Sequence, residues 1–301
     1  MSRVSLTAIV LAHNEEIHIE RCIGSLKDCA GRVVVIDSHS TDRTVELARK
    51  LGADIYQRPF RNYADQFNWA LEHCAITSDW VMRIDADEYV DTVLAREVTS
   101  RLPQLRSDVT GAIVNRQIKF FSRTIRYGGI SPQLLLKIWR TGKGRVENRW
   151  MDEHTVLSEG AAVIFSGQLI DENLKDMSFW IDKHNRYATR EMIDFINLQH
   201  KFYEEKDLFE TAREARLKRR AKMSLYNRAP LLYRAVLFFF YRYAIRLGFL
   251  DGTAGLLFHL MQGLWYRLLV DMKILEAQAF IKRHGIEAFK AMLDERYRIS
   301  L

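Results

Sequence analysis

The sequence predicts an α/β fold with a mainly parallel central sheet, followed by a helical C-terminal region. Three observations predict it. Short apolar runs alternate with helix-period segments through the N-terminal half, the pattern of strands buried on both faces of a parallel sheet. Polar and acidic residues collect just after the C-terminal ends of those runs, where open α/β sheets bind ligands. From about Asp176 the periodicity turns wholly helical, which divides the chain into a catalytic domain, 1–175, and a helical region, 176–301.

The elements follow in order. Leu6–Ala12 is a buried strand ended by His13, Asn14, Glu15 and Glu16. Ile17, Cys22, Ile23 and Leu26 form the apolar stripe of a helix reaching Lys27, and Gly31 breaks the chain. Residues 32–37 are a second strand, closed by Asp37. Asp42 is the expected N-cap of a helix through Leu51, with Gly52 as its stop. A short strand at 53–56, a helix over 63–74 and a strand at 80–84 complete the series.

Composition bounds the partners. The chain has 301 residues, 48% hydrophobic and 28% charged, with four prolines and fifteen glycines, so it is globular without long linkers. A net charge of +7 suggests an anionic partner. Cys22, Cys29 and Cys74 show no C-x-x-C spacing and the N-terminus has no signal-peptide core, which fits a reducing cytoplasm. No G-x-G-x-x-G or G-x-x-x-x-G-K-[ST] is present, so dinucleotide and P-loop readings fail.

The most informative stretch is Trp80-Val-Met-Arg-Ile-Asp85-Ala-Asp87-Glu88. Carboxylates two residues apart on an extended chain point to one side, so Asp85 and Asp87 are expected to converge on Mg²⁺ or Mn²⁺, which completes its shell with substrate phosphates. A site lacking a glycine phosphate loop needs such a cation for a diphosphate. Asp37 ends its strand where a base or ribose would lie, and its carboxylate can accept from a uracil N–H or a hydroxyl.

Residues 9–15 (IVLAHNE), 34–42 (VVIDSHSTD), 67–71 (FNWAL) and 79–88 (DWVMRIDADE) together resemble the family 2 glycosyltransferases of GT-A fold. The chain is most similar to the bacterial branch containing lipopolysaccharide-core β-1,4-glucosyltransferases. The resemblance covers roughly residues 4 to 170. It implies nucleotide contacts from Ala12, Asn14, Glu15, Asp37, Asn68 and Asp85, and a metal on Asp87 with Asp85 assisting. Ser38, His39 and Phe67 depart from residues common among relatives (Asp, Gly and Arg), and the Phe67 departure leaves the second diphosphate-binding cation unassigned. The implied activity is inverting transfer of a hexose from a nucleotide sugar, most simply a UDP-sugar, to a lipid-linked or lipopolysaccharide-core glycan at the cytoplasmic face of the inner membrane.

Inversion needs one base to deprotonate the acceptor hydroxyl. The resemblance places it in Glu147-Asn-Arg-Trp-Met-Asp152-Glu153-His154, with Glu153 as the base, Asp152 as the fallback and His154 positioning it or touching phosphate. No His/Cys set around His154 has zinc-ligand spacing. Arg126, beside Gly128 and Gly129, and Arg186, on a helix with Lys183, His184 and Arg190, are candidate phosphate or acceptor contacts.

In the C-terminal third, Arg213–Lys222 is strongly basic, and the apolar stretches 230–250 and 253–270 are interrupted by Arg234, Arg242, Arg246, His259 and Arg267. Arginines among aromatics suggest helices lying in a membrane interface with their charges snorkelling outward, and basic residues near anionic headgroups add about 1 kcal/mol each. Two other classes compete. A nucleotidyltransferase making a nucleotide sugar would use a similar sheet. A nucleic-acid-binding protein would interleave its basic residues with stacking platforms, whereas here they adjoin apolar helices.

Overall fold

The computed structural model describes residues 4–147, 154–202 and 229–297. They form two compact units, the first from residues up to 147 with 154–175 and the second from 176–202 with 229–297.

The first unit is built on one nine-stranded sheet. In chain order its early elements are β1 (Leu6–Ala12), α1 (Ile19–Leu26), β2 (Arg32–Asp37), α2 (Thr44–Lys50), β3 (Asp54–Gln57), α3 (Tyr63–His73), β4 (Trp80–Asp85), β5 (Glu88–Val90) and α4 (Thr92–Arg101). Then come β6 (Val109–Phe120), β7 (Arg123–Thr124), β8 (Gln133–Arg140), β9 (Gly144–Val146), β10 (Thr155–Leu157) and β11 (Ala161–Glu172). The sheet order is β3-β2-β1-β4-β8-β6-β11-β5, with β7 paired to β6, while β9 and β10 form a separate pair. The strands from β3 to β4 are parallel, as the apolar runs require. Beyond β4 the sheet is mixed: β8 is antiparallel to β4 and β6, β11 is parallel to β6, and β5 is antiparallel to β11.

Both faces are covered, which explains the continuous apolar strands. Even residues of β1 pack with α1, α2 and α4. Ile9 and Leu11 face the α3 side with Ala64, Phe67 and Ala70. Phe67 is fully buried and meets the Trp139 ring at 5.6 Å between centroids, so this departure from the family pattern is a core residue and supplies no cation. Asn62 caps α3 by accepting from Asp65 N–H at 2.7 Å, and Asp91 caps α4 through Leu94 N–H at 2.6 Å. Asp42 is not the cap of α2. That place falls to Arg43, and Asp42 instead accepts from the Thr44 and Glu16 N–H groups at 2.9 and 3.1 Å. Gly52 ends the α2 region at φ 83°, as expected.

The second unit is helical: α5 (Met177–His200), α6 (Tyr233–Phe240), α7 (Gly252–Phe258) and α8 (Tyr266–Tyr297), with π-helical turns at Tyr241–Ile245 and His259–Trp265. Its core joins Ala188, Met192, Ile193 and Ile196 of α5 to Tyr266, Val270 and Ile274 of α8. Gly285, at φ 82°, interrupts α8. His184 does not lie on a solvated face. It stacks on Trp180 and meets Tyr266 edge-on, and burial pulls its imidazole down to about 4. Arg234 and Arg242 do not snorkel outward either; both are buried. No helix among the described residues is long and apolar enough to cross a membrane. The basic run 213–222 lies outside the described residues.

Candidate active site

The parallel register fixes the floor of the site. Ala12 stands beside Asp37 and Leu11 beside Asp85 on neighbouring strands, so the C-terminal ends of β2, β1 and β4 form one edge. Chain order reverses there, β2 lying on one side of β1 and β4 on the other, which is where α/β sheets open a ligand crevice.

The loops above β1 and β2 are sewn together. Asn14, at φ 55°, donates its N–H to Ser40 Oγ at 2.8 Å and accepts the Thr41 N–H at 2.8 Å. Glu15 N–H donates to Thr44 Oγ1 at 2.7 Å. His39 adopts φ 57° at a position where glycine is common among relatives. Asp37 is fully buried. Its carboxylate accepts from Ser40 N–H, Ser40 Oγ and, at 2.9 Å, Gln57 Nε2. In this conformation it holds the 38–41 loop rather than presenting a free acceptor to a nucleoside.

Asn68 of α3 is bonded to the backbone of β9. Its amide donates to Val146 O at 2.8 Å and accepts from Val146 N–H at 3.0 Å. Through these two bonds Asn68 clamps β9 to α3 and brackets the β9–β10 pair. That pair is closed by Glu147 N–H donating to His154 O at 2.9 Å. Asp152 and Glu153 lie outside the described residues, between these two anchors in sequence.

Asp85 is the last residue of β4, but Ala86 and Asp87 form a turn. Strand alternation therefore does not set the direction of Asp87; the turn does. Asp85 Oδ1 is buried with no hydrogen-bond partner. Its Oδ2 lies 4.0 Å from Lys137 Nζ. Asp87 Oδ2 accepts from Asn173 Nδ2 at 3.1 Å. An orphaned carboxylate oxygen next to a second carboxylate suits a hard cation whose remaining ligands come from a diphosphate. Among the described residues no group of three or more His, Cys, Asp or Glu side chains is placed to hold a metal.

Beneath this pair lies a charged network that sequence reading missed. Glu88 is 1% exposed, bound by Lys137 Nζ at 2.7 and 3.0 Å and by Arg116 at 3.2 Å. Glu88 Oε2 also accepts the Asp85 N–H at 3.0 Å. Asp171, opposite Glu88 in the sheet, pairs with Arg116. Burial pushes the Glu88 carboxyl up, and Lys137 opposes it. Burial also disfavours the Arg116 charge, but Asp171, Glu88, Asp85 and Asp87 outweigh it and hold the guanidinium protonated beyond its usual range. The network sets where β4 ends and the acidic turn begins. Its one sequence signal is Lys137, a lone cation inside the apolar run 134–139.

A strap after β11 ties the two ligand loops together. Leu174 N–H donates to His18 Nε2 at 2.7 Å, which fixes the imidazole proton on Nδ1, 2.5 Å from Glu15 Oε2. Lys175 Nζ meets Glu15 Oε1 at 2.8 Å, and Asn173 Oδ1 accepts Lys175 N–H at 2.9 Å. Asn173 thus orients Asp87 from a strap anchored on Glu15 and His18. Asn173→Ala is expected to raise the Mn²⁺ concentration needed for donor binding by roughly ten- to a hundredfold, as for other groups that orient a ligand, with little change in Tm. A fall in Tm with unchanged Mn²⁺ dependence would mark Asn173 as merely structural.

Arg126 is exposed in the segment after β7, before Gly128 and Gly129, both at φ 72°. Arg186 is exposed on α5, in the second unit. The structure gathers Ala12, Asn14, Glu15, Asp37 and Asp85 at one sheet edge, with Asp87 in the turn that follows, and does not add Asn68 to them.

Comparison with known proteins gives the following. The family model described as Glycosyl transferase family 2 matches residues 7–169. The chain is 31% identical over 193 residues to the lipopolysaccharide core biosynthesis glycosyltransferase LpsC of Rhizobium meliloti (strain 1021), covering 62% of this chain and 70% of LpsC. An uncharacterized glycosyltransferase of Rickettsia bellii (strain RML369-C) is 40% identical over 93 residues, 31% of each chain. Among solved structures, the mannosyltransferase PcManGT from Pyrobaculum calidifontis in complex with GDP-Man and Mn²⁺ aligns over 91% of this chain and 88% of its own at 16% identity, with a TM-score of 0.47.

Proposed function

The chain belongs to glycosyl transferase family 2, and we propose that it is an inverting enzyme moving a hexose from a UDP-sugar to a lipopolysaccharide-core or other lipid-linked glycan at the cytoplasmic face of the inner membrane. The observation that carries the reading is the single sheet edge bearing Ala12, Asp37 and Asp85, with the acidic turn at Asp87 above an orphaned Asp85 oxygen. LpsC, named for lipopolysaccharide core biosynthesis, supports the acceptor class.

Asp87, with Asp85, would hold Mg²⁺ or Mn²⁺, which when bound neutralises the diphosphate as it leaves. The residues of this chain do the rest. Asp37 shapes the Ser38–Thr41 loop against which the nucleoside lies, and Asn14 locks that loop to β1. Lys137 and Arg116 hold Glu88, so the acidic turn is positioned before donor arrives, which is where preorganised electrostatics gain their effect. Glu153 takes the acceptor hydroxyl proton as the oxygen attacks the anomeric carbon from the face opposite the diphosphate. Asp152 orients it, and His154 anchors the segment through its backbone carbonyl. Arg126 is the acceptor-phosphate contact of this reading. Transfer of label from a radiolabelled UDP-hexose to a truncated lipopolysaccharide core tests the reading.

A further inference from the structure

Resting on the membrane-face reading above, we propose that residues 232–257 form an inside-out surface that seats in the acyl-chain boundary of a bilayer, held by apolar insertion rather than by charge.

The polarity of this segment is reversed relative to a water-facing helical surface. Eleven large apolar side chains between Leu232 and Leu257 are exposed, among them Tyr233 at 73%, Ile245 at 71%, Leu237 at 64% and Phe240 at 58%. Arg246 and Thr253 are exposed, but Arg234, Arg242 and the neighbouring Asp271 and His259 face inward. Arg234 and Asp271 form an ion pair in which the side chains are 2% and 1% exposed, and Asp271 also accepts the Leu232 N–H at 2.7 Å. Arg242 is buried over the Phe238 and Phe258 rings at 5.3 and 5.9 Å. His259 is fully buried with neither ring nitrogen hydrogen-bonded. Burial pulls the Arg242 guanidinium down to about 10, with Arg267 adding to it, and the His259 imidazole down to about 4.

A scattered exposed leucine means nothing, but a buried charge beside a contiguous exposed apolar patch is informative. Desolvating a charge is costly, and pairing repays the cost only where the geometry is good. Facing water, the segment would gain by turning over. Facing lipid, the observed arrangement is the stable one. No helix among the described residues is long and apolar enough to span, and on this reading the segment lies in the plane, its apolar side about 5–10 Å into the headgroup–acyl boundary. Charge favours lipid over a second copy. Between Glu214 and Asp251 the sequence has no Asp or Glu and, besides the inward-facing Arg234 and Arg242, seven Lys or Arg, a net positive charge that attracts anionic headgroups and repels a second copy.

The test is flotation of the full chain with phosphatidylcholine vesicles, with and without phosphatidylglycerol, at low and high salt. The expected result is binding to both compositions that survives high salt, strengthened by phosphatidylglycerol at low salt. The triple variant Leu237→Ser/Phe240→Ser/Ile245→Ser, which changes only exposed positions, should keep its Tm and lose roughly a hundredfold or more in vesicle partitioning. Binding only to anionic vesicles at low salt would overturn insertion, as would a triple variant that floats like the wild type. A dimer that ignores vesicles and dissociates on substitution would make the face a contact between copies. UDP-hexose binding by the same variant reports on the glycosyltransferase reading separately, because none of the three residues belongs to the nucleotide site.

Discussion

Asp87→Ala is expected to leave the fold intact and reduce sugar transfer by roughly a thousandfold or more, the scale of losing a preorganised electrostatic contribution at the leaving group. Asp87 sits in a turn outside the hydrophobic core, where Asn173 donates to its carboxylate at 3.1 Å, so its truncation removes no core packing. Asp85→Ala should be less selective. Asp85 lies 4.0 Å from Lys137 and its N–H is held by Glu88, so truncation there disturbs the buried network too. The comparison to make is turnover against Mn²⁺ concentration for both variants, beside thermal melts. An Asp87→Ala enzyme with wild-type turnover and Mn²⁺ dependence would remove the metal from this turn.

Glu153→Gln should retain donor binding and lose transfer by roughly 10²- to 10⁴-fold, the range for removing a general base. A base acts on the acceptor, so the amide isostere leaves the donor side untouched. Asp152→Asn should cost less if Asp152 only orients its neighbour. The two kcat values, read beside donor Kd from calorimetry, decide the assignment. A dead Asp152→Asn with a normal Glu153→Gln transfers the role to Asp152. Full activity in both sends the search to other carboxylates. Glu88, the nearest in sequence to the acidic turn, is an unsuitable base because Lys137 and Arg116 already occupy its oxygens.

The parallel half of the fold was legible because its information is local. The runs at 6–12, 32–37 and 80–85 are buried on both faces, and each ends in the polar residues that form the sheet edge. The mixed half was less legible. β5 pairs with β11 across some eighty residues of chain, and no local pattern encodes that partner. The same distance hid Asn173 and Lys175, which reach the site only once β11 is placed. The Asn68 bonds to β9 were not legible either, because a motif position carries a side chain but not its direction. Phe67 shows the reverse: a departure from the family pattern that looked like a missing cation is explained by Trp139 packing. In the helical unit, composition suggested a membrane surface, but only the fold reveals that Arg234 and Arg242 turn inward while Tyr233, Phe240 and Tyr241 face outward.

The most direct measurement is transfer of label from UDP-hexoses to lipopolysaccharide cores of successive truncation, by the full chain with Mn²⁺, with EDTA, and with Asp87→Ala. One UDP-hexose and one core length should give labelled glycolipid and stoichiometric UDP, abolished by EDTA and by the substitution. No transfer to any core, together with pyrophosphate release from a nucleoside triphosphate and a sugar phosphate, would contradict glycosyl transfer by this site.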